Sequence, residues 1–198
     1  MIGLKYILNL YGMEHQILAD KLGIKKQNIN LWVTEKQRIP QRHLPVLAEI
    51  FDIDEGYFQK ELDDVDKLVI QKEKLRHELK PRIVDYETEL SLNGEPDLYQ
   101  KPIYSHSELN SIEIDIEKAQ LIQDFKVVLS EVKDSTNLLK FTQLLLLLKR
   151  HKNDELFNVT IDALSYYYNI LPEWVGEPES DEFVDLFLHL SEEYLSDK

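Results

Sequence analysis

Cysteine is absent from this chain, and glycine is scarce, with six among 198 residues. Without a thiol there are no disulfides, no thiolate metal sites and no cysteine nucleophile, which fits a reducing cytoplasm. With so little glycine there is no glycine-rich loop to cradle a phosphate. His15, His43, His77, His106, His151 and His189 never stand three or four residues apart, so they form no helical pair of metal ligands and no HExxH. GxSxG is also missing. Acid pairs such as Asp63-Asp64 and Glu192-Glu193 fall on exposed helix faces and read as solvation. The expectation is a protein that is not an enzyme and has no cofactor and no metal.

Long apolar runs are lacking too. The strongest segment, Leu138 to Leu148, is interrupted by Lys140, Thr142 and Gln143 and falls short of the ~20 residues that span a bilayer. It reads as a buried helix rather than a membrane anchor. The opening MIGLKYILNLYG is too short and too amphipathic for a signal peptide. Its Leu4, Ile7, Leu8 and Tyr11 have helical spacing.

The informative stretch is residues 14–40, EHQILADKLGIKKQNINLWVTEKQRIP. Ala19, Gly23 and Ile29 stand at offsets of four and six, which suits two short helices packed across a tight turn. Ala19 is small enough to admit the second helix, and Gly23 can take the left-handed conformation that ends the first. Ile29 anchors the second helix inward, and Trp32 follows it on the same side. Lys26, Gln27 and Asn30 point outward, a display suited to a major groove.

The order Leu18-Ala19…Leu22-Gly23-Ile24…Ile29…Trp32…Pro40 resembles the Cro/CI-type (XRE-like) helix-turn-helix of phage repressors and bacterial regulators. The resemblance continues through Leu44, Leu47, Ile50, Phe51, Ile53 and Phe58, and covers the first third of the chain. It implies a five-helix DNA-binding domain over 1–59. It further implies that Lys26, Gln27 and Asn30 read base edges, with Leu31 against a thymine methyl or over a dimer seam. His15, Lys25, Asn28, Lys36, Arg38 and Arg42 would contact phosphate. Two positions depart from the family. His15 replaces the usual Gln near the start of the first motif helix, and Glu35 replaces the usual Gly three residues after the Trp.

Charge falls in the same place. The whole chain carries 23 basic and 37 acidic side chains, a net −14. Residues 1–60 hold 8 basic and 7 acidic (+1), which leaves 15 and 30 (−15) for residues 61–198. Within 21–45, six cations face Glu35 alone, a local +5. One basic patch on an acidic chain fits a single surface meeting phosphate while the rest repels it.

The expected fold class is all-α: the 1–59 domain, a linker or dimerisation helix over 60–81, and a helical oligomerisation or regulatory domain over 82–198. In the linker, Val65, Leu68, Leu75 and Leu79 recur every three or four residues with Lys72 breaking the seam. Both a short coiled coil and a helix packed on its own chain fit. Residues 93–107, with Asn93-Gly94, Pro96 and Pro102, read as a loop with a short extended piece near Ile103-Tyr104. Helices are expected over 111–134, 136–149 and 155–169, and a last one from Ser180 or Asp181. Residues 51–58 echo 168–175, a recurrent way to join two helices.

The expected function is sequence-specific transcriptional regulation of a prokaryote or mobile element, by occlusion of an operator. The partners would be double-stranded DNA, further copies of the chain (dimer or tetramer), and a peptide or protein effector on the C-terminal domain. An antitoxin or immunity-type interaction protein, whose DNA domain serves autoregulation, is the alternative. A fused self-cleaving hydrolase would need a strand-rich tail with a Ser–Lys pair.

Overall fold

The computed structural model describes residues 1–90, 98–170 and 182–196. Two units make up the chain: Met1–Val84 with Ile103–Val127, and Asp85–Pro102 with Val128–Lys198.

In the first unit, α1 (Gly3–Leu10), α2 (His15–Leu22), α3 (Lys26–Val33) and α4 (Leu44–Phe51) surround one core. Leu4, Ile7, Leu18, Ile29, Leu47 and Phe58 are wholly buried in it, with Trp32 and Phe51 almost so. Gly23 ends α2 in the left-handed conformation, φ 64°, and its turn is closed by the Ile24 N–H donating to the Ala19 carbonyl at 3.0 Å. Asp52 ends α4 in the same way, φ 54°. The Asp54 carboxylate then accepts from the Gly56 N–H and starts a short 3-10 turn, Glu55–Tyr57. The chain therefore returns under α1, where the Lys60 and Phe58 carbonyls accept from the Gly3 and Leu4 N–H groups at 2.9 and 3.0 Å. These bonds satisfy donors that a helix N-terminus leaves free.

Residues 1–59 thus hold four α-helices rather than five. The fifth, α5 (Asp64–Leu79), begins after that segment. Asp63 and Asp66 form a reciprocal capping box at its start, and Lys80 ends it at φ 46°, immediately before Pro81. One face of α5 joins the N-terminal core through Ile70. Tyr6 ties the two together: its hydroxyl accepts from Gln71 Nε2 at 2.6 Å and donates to the Lys67 carbonyl at 3.4 Å. Leu68, Leu75 and Leu79 of α5 pack instead on Tyr104, Leu109 and Ile112. The last two belong to α6 (Ser107–Ser130). Lys72, in the middle of that seam, pairs with Glu113 of α6 at 3.1 Å.

The all-α expectation is corrected by two strands, β1 (Ile83–Leu90) and β2 (Leu98–Tyr104), which pair antiparallel. In β1, Val84, Tyr86, Thr88 and Leu90 alternate with Asp85, Glu87 and Glu89, the period-two pattern of β-branched and aromatic side chains that favours strand over helix. Pro102 is tolerated in β2 because each strand of a two-stranded sheet has an unpaired edge. Asn93, Gly94 and Pro96 lie outside the described residues.

The remaining described helices are α7 (Ser135–His151), α8 (Glu155–Tyr167) and α9 (Glu182–Ser196). The carboxylates of Asp134 and Asp154 cap α7 and α8 by accepting from the Asn137 and Phe157 N–H groups. Ser180 and Asp181, the expected caps of the last helix, lie outside the described residues, as do residues 171–175 of the echo. Where the echo is described it holds, since Asp52 and Asn169 both take positive φ (54° and 52°) just beyond a helix. The leucine segment is helical, but it is not buried: no residue of α7 is. Among the described residues, no helix is long and apolar enough to cross a membrane.

Candidate nucleic-acid interface

Helices α2 and α3 meet through Ala19 and Ile29, both fully buried, and the Trp32 ring closes the same face. With Ile29, Trp32 and Val33 turned inward, helical geometry leaves Lys26, Gln27 and Asn30 exposed and Leu31 and Asn28 half-buried. The backbone N–H of Asn28 is already spent on the Lys25 carbonyl at 2.9 Å. Of Asn28, its side-chain amide is what remains to meet a phosphate.

One contact joins two residues that sequence reasoning kept apart. His15 Nδ1 lies 2.6 Å from Asn30 Oδ1. With the amide oxygen accepting, Nδ1 carries the proton, and Asn30 is held from α2 rather than left to rotate. The remaining ring nitrogen of His15, Nε2, is an acceptor in that tautomer, so His15 meets a phosphate only with both ring nitrogens protonated. Only the tertiary packing of α2 on α3 brings these positions, fifteen residues apart, within reach.

Beyond α3 the chain turns sharply. Lys36 and Gln37 N–H groups both donate to the Leu31 carbonyl, at 3.0 and 3.2 Å, and Glu35 sits at φ 59°. The residue at this position must take left-handed backbone, which explains why glycine suits it and why glutamate there is strained. Further on, the His43 ring packs against Trp32, tilted by 43°, with centroids 5.4 Å apart. Burial, then the neighbouring Arg42 guanidinium, push the His43 pKa below its ordinary value of 6.5.

The electrostatics of this surface differ from those of the adjacent helix. Lys21, Lys25, Lys26, Lys36, Arg38 and Arg42 are all exposed, and among the described residues none is in an ion pair. On and just before α5, by contrast, Lys60, Lys67, Lys72, Lys74 and Arg76 each pair with a carboxylate within 3.1 Å. The Asp64 carboxyl is held below its usual range by its hydrogen bond from Lys67. Among the described residues, no group of three acidic or histidine side chains could hold a metal ion. No family model, no characterised protein and no solved structure matches this chain.

Proposed function

We propose that this chain is a sequence-specific DNA-binding transcriptional regulator of the Cro/CI-like kind, repressing by occlusion. The observation that carries the reading is the set of six exposed cations without acidic partners, gathered around a helix that displays Lys26, Gln27 and Asn30. Unpaired cations release counterions when they meet phosphate, whereas the paired cations of α5 are already neutralised. In this reading Lys26 addresses guanine. Gln27 addresses adenine, and Asn30, its oxygen engaged by His15, offers its amide hydrogens to an acceptor on a base edge. Lys25, the Asn28 amide, Lys36, Arg38 and Arg42, joined by His15 when both its ring nitrogens are protonated, set the register on the backbone. Two copies would place two α3 helices in successive major grooves ~34 Å apart. The acidic C-terminal unit stays off the DNA and receives a peptide or protein effector.

Selection of bound DNA from a random pool tests this, followed by two variants on the enriched site. Gln27→Ala is expected to relax preference at one base pair by about 1–3 kcal/mol. Lys36→Ala is expected to weaken all sequences alike and reduce the salt slope by about one. Failure to enrich any sequence, or binding indifferent to both changes, overturns the reading.

A further inference from the structure

We propose that His15 is a positioning residue that sets base preference without touching a base, turning Asn30 from a reader of adenine into a reader of guanine. An asparagine amide carries an acceptor and a pair of donor hydrogens side by side. Its usual partner is adenine, which offers N7 as acceptor and N6 as donor. That match needs the oxygen and the nitrogen both free to face the base. In this chain the two ends of the amide are not equivalent. Oδ1 of Asn30 lies 2.6 Å from His15 Nδ1, on the side of α2, whereas Nδ2 has no hydrogen-bond partner among the described residues.

The ring decides which way round the amide is held. In a helix-turn-helix the first helix crosses the phosphate backbone while the second lies in the groove. An oxygen tied to α2 therefore points back towards the backbone and leaves the NH2 group forward. A histidine in contact with phosphate carries a proton on each ring nitrogen, and only an oxygen can then meet Nδ1. Rotation of α3 does not undo this arrangement, because Ile29 and Trp32 on either side of Asn30 are buried and fix the exposed face.

With only donors forward, Asn30 matches a base edge that shows only acceptors. Guanine does so at N7 and O6, while adenine sets its N6 amino group against the amide hydrogens. Lys26, one turn earlier on the same exposed face, is likewise a donor with no acceptor. Gln27 differs: its amide has no partner among the described residues and keeps both oxygen and nitrogen for adenine. The reading helix thus carries one fixed amide and one free amide, and the difference is made by α2. All of this rests on α3 lying in a major groove, as proposed above, and adds which base Asn30 selects there.

Selection of bound DNA from a random pool, run with the full-length chain and three variants, tests the assignment. Asn30→Ala marks the base pair that Asn30 reads. At that pair the unmodified chain is expected to prefer G·C over A·T about tenfold or more. Replacing the guanine there by 7-deazaguanine, which lacks the N7 acceptor, should weaken binding about fivefold. His15→Ala frees the amide to turn and should bring A·T to within about twofold of G·C, with the pair read by Gln27 unchanged. His15→Asn should restore the preference for guanine, because the asparagine Nδ2–H stands where the imidazole Nδ1–H stood. A residue needed only for packing α2 would alter affinity at every position rather than exchange one base at one pair. Preferences are ratios between sites, so they are readable even where a variant binds weakly, and thermal melts check that each is folded. Preference for A·T at the Asn30 pair, indifference to 7-deazaguanine, or a guanine preference untouched by His15→Ala overturns the role of His15 and spares the DNA reading. A chain that enriches no sequence defeats the DNA reading, and the role of His15 with it.

Discussion

Glu35 and Gly3 show what a single position can cost. Glu35 holds left-handed backbone in the turn after α3, and its carboxylate is the lone acid among six cations in residues 21–45. Glu35→Gly should raise thermal stability by about 0.5–1 kcal/mol, the relief of strain less the entropy of glycine, and should tighten DNA binding. Calorimetry and a binding titration check the two halves separately. Gly3 is the opposite case: a Cβ there would stand 1.8 Å from the Tyr57 carbonyl oxygen. Gly3→Ala should therefore cost about 2–3 kcal/mol in a urea melt, since the backbone of 57–60 must give way. Neither effect is legible from composition. The Glu35 anomaly could be marked only through resemblance to a family that places glycine there. Gly3 carries no local signal, because the clash comes from a residue 54 positions away.

At the scale of elements, α5 has two jobs on opposite sides. Ile70, Tyr6 and Gln71 dock it on the N-terminal core, while Leu68, Leu75 and Leu79 receive α6. Lys72 reads in sequence as a flaw in an apolar seam, and in the fold it is the partner of Glu113, which is almost buried. Glu113→Ala should destabilise the first unit by about 2 kcal/mol, less than a fully buried pair loses, because Lys72 keeps 21 % of its side chain in water. Denaturant unfolding measures it, with Glu113→Gln expected to recover part of the loss. The α2–turn–α3 element was legible because its determinants are local, the small residue, the left-handed glycine and the inward Ile lying within eleven positions. The β1–β2 pair was missed although its signals were present: an alternating run, then Asn93-Gly94, a dipeptide that favours hairpins. Helical texture on both sides outweighed them.

For the whole molecule, charge and apolar surface are segregated. The first unit has a core and a cationic face; the second is acidic, and among its described residues only Ala163 and Val184 are buried apolar side chains. Stability should accordingly depend on pH through His43, the histidine against Trp32. Its folded pKa lies below the ordinary 6.5. The unfolded chain therefore binds a proton first, and the contribution, complete above 6.5, is lost as pH falls through that value towards the folded one. Melting temperatures across this range should decline for the natural protein and decline less for His43→Gln.

What the sequence by itself determined is what depends on neighbours along the chain: the two short helices joined at Gly23 with Lys26, Gln27 and Asn30 outward, the basic patch, and the lack of thiol chemistry; the cap of α7, expected at Ser135 or Thr136, falls one residue earlier on Asp134. The tertiary structure decided what depends on distant residues meeting. It tied His15 to Asn30, paired Lys72 with Glu113, fitted Gly3 beneath Tyr57, and left the leucines of α7 exposed. Spacing and periodicity are written in consecutive residues, so they can be read without a fold. Which apolar face finds a partner depends on loop closure and packing across the whole chain.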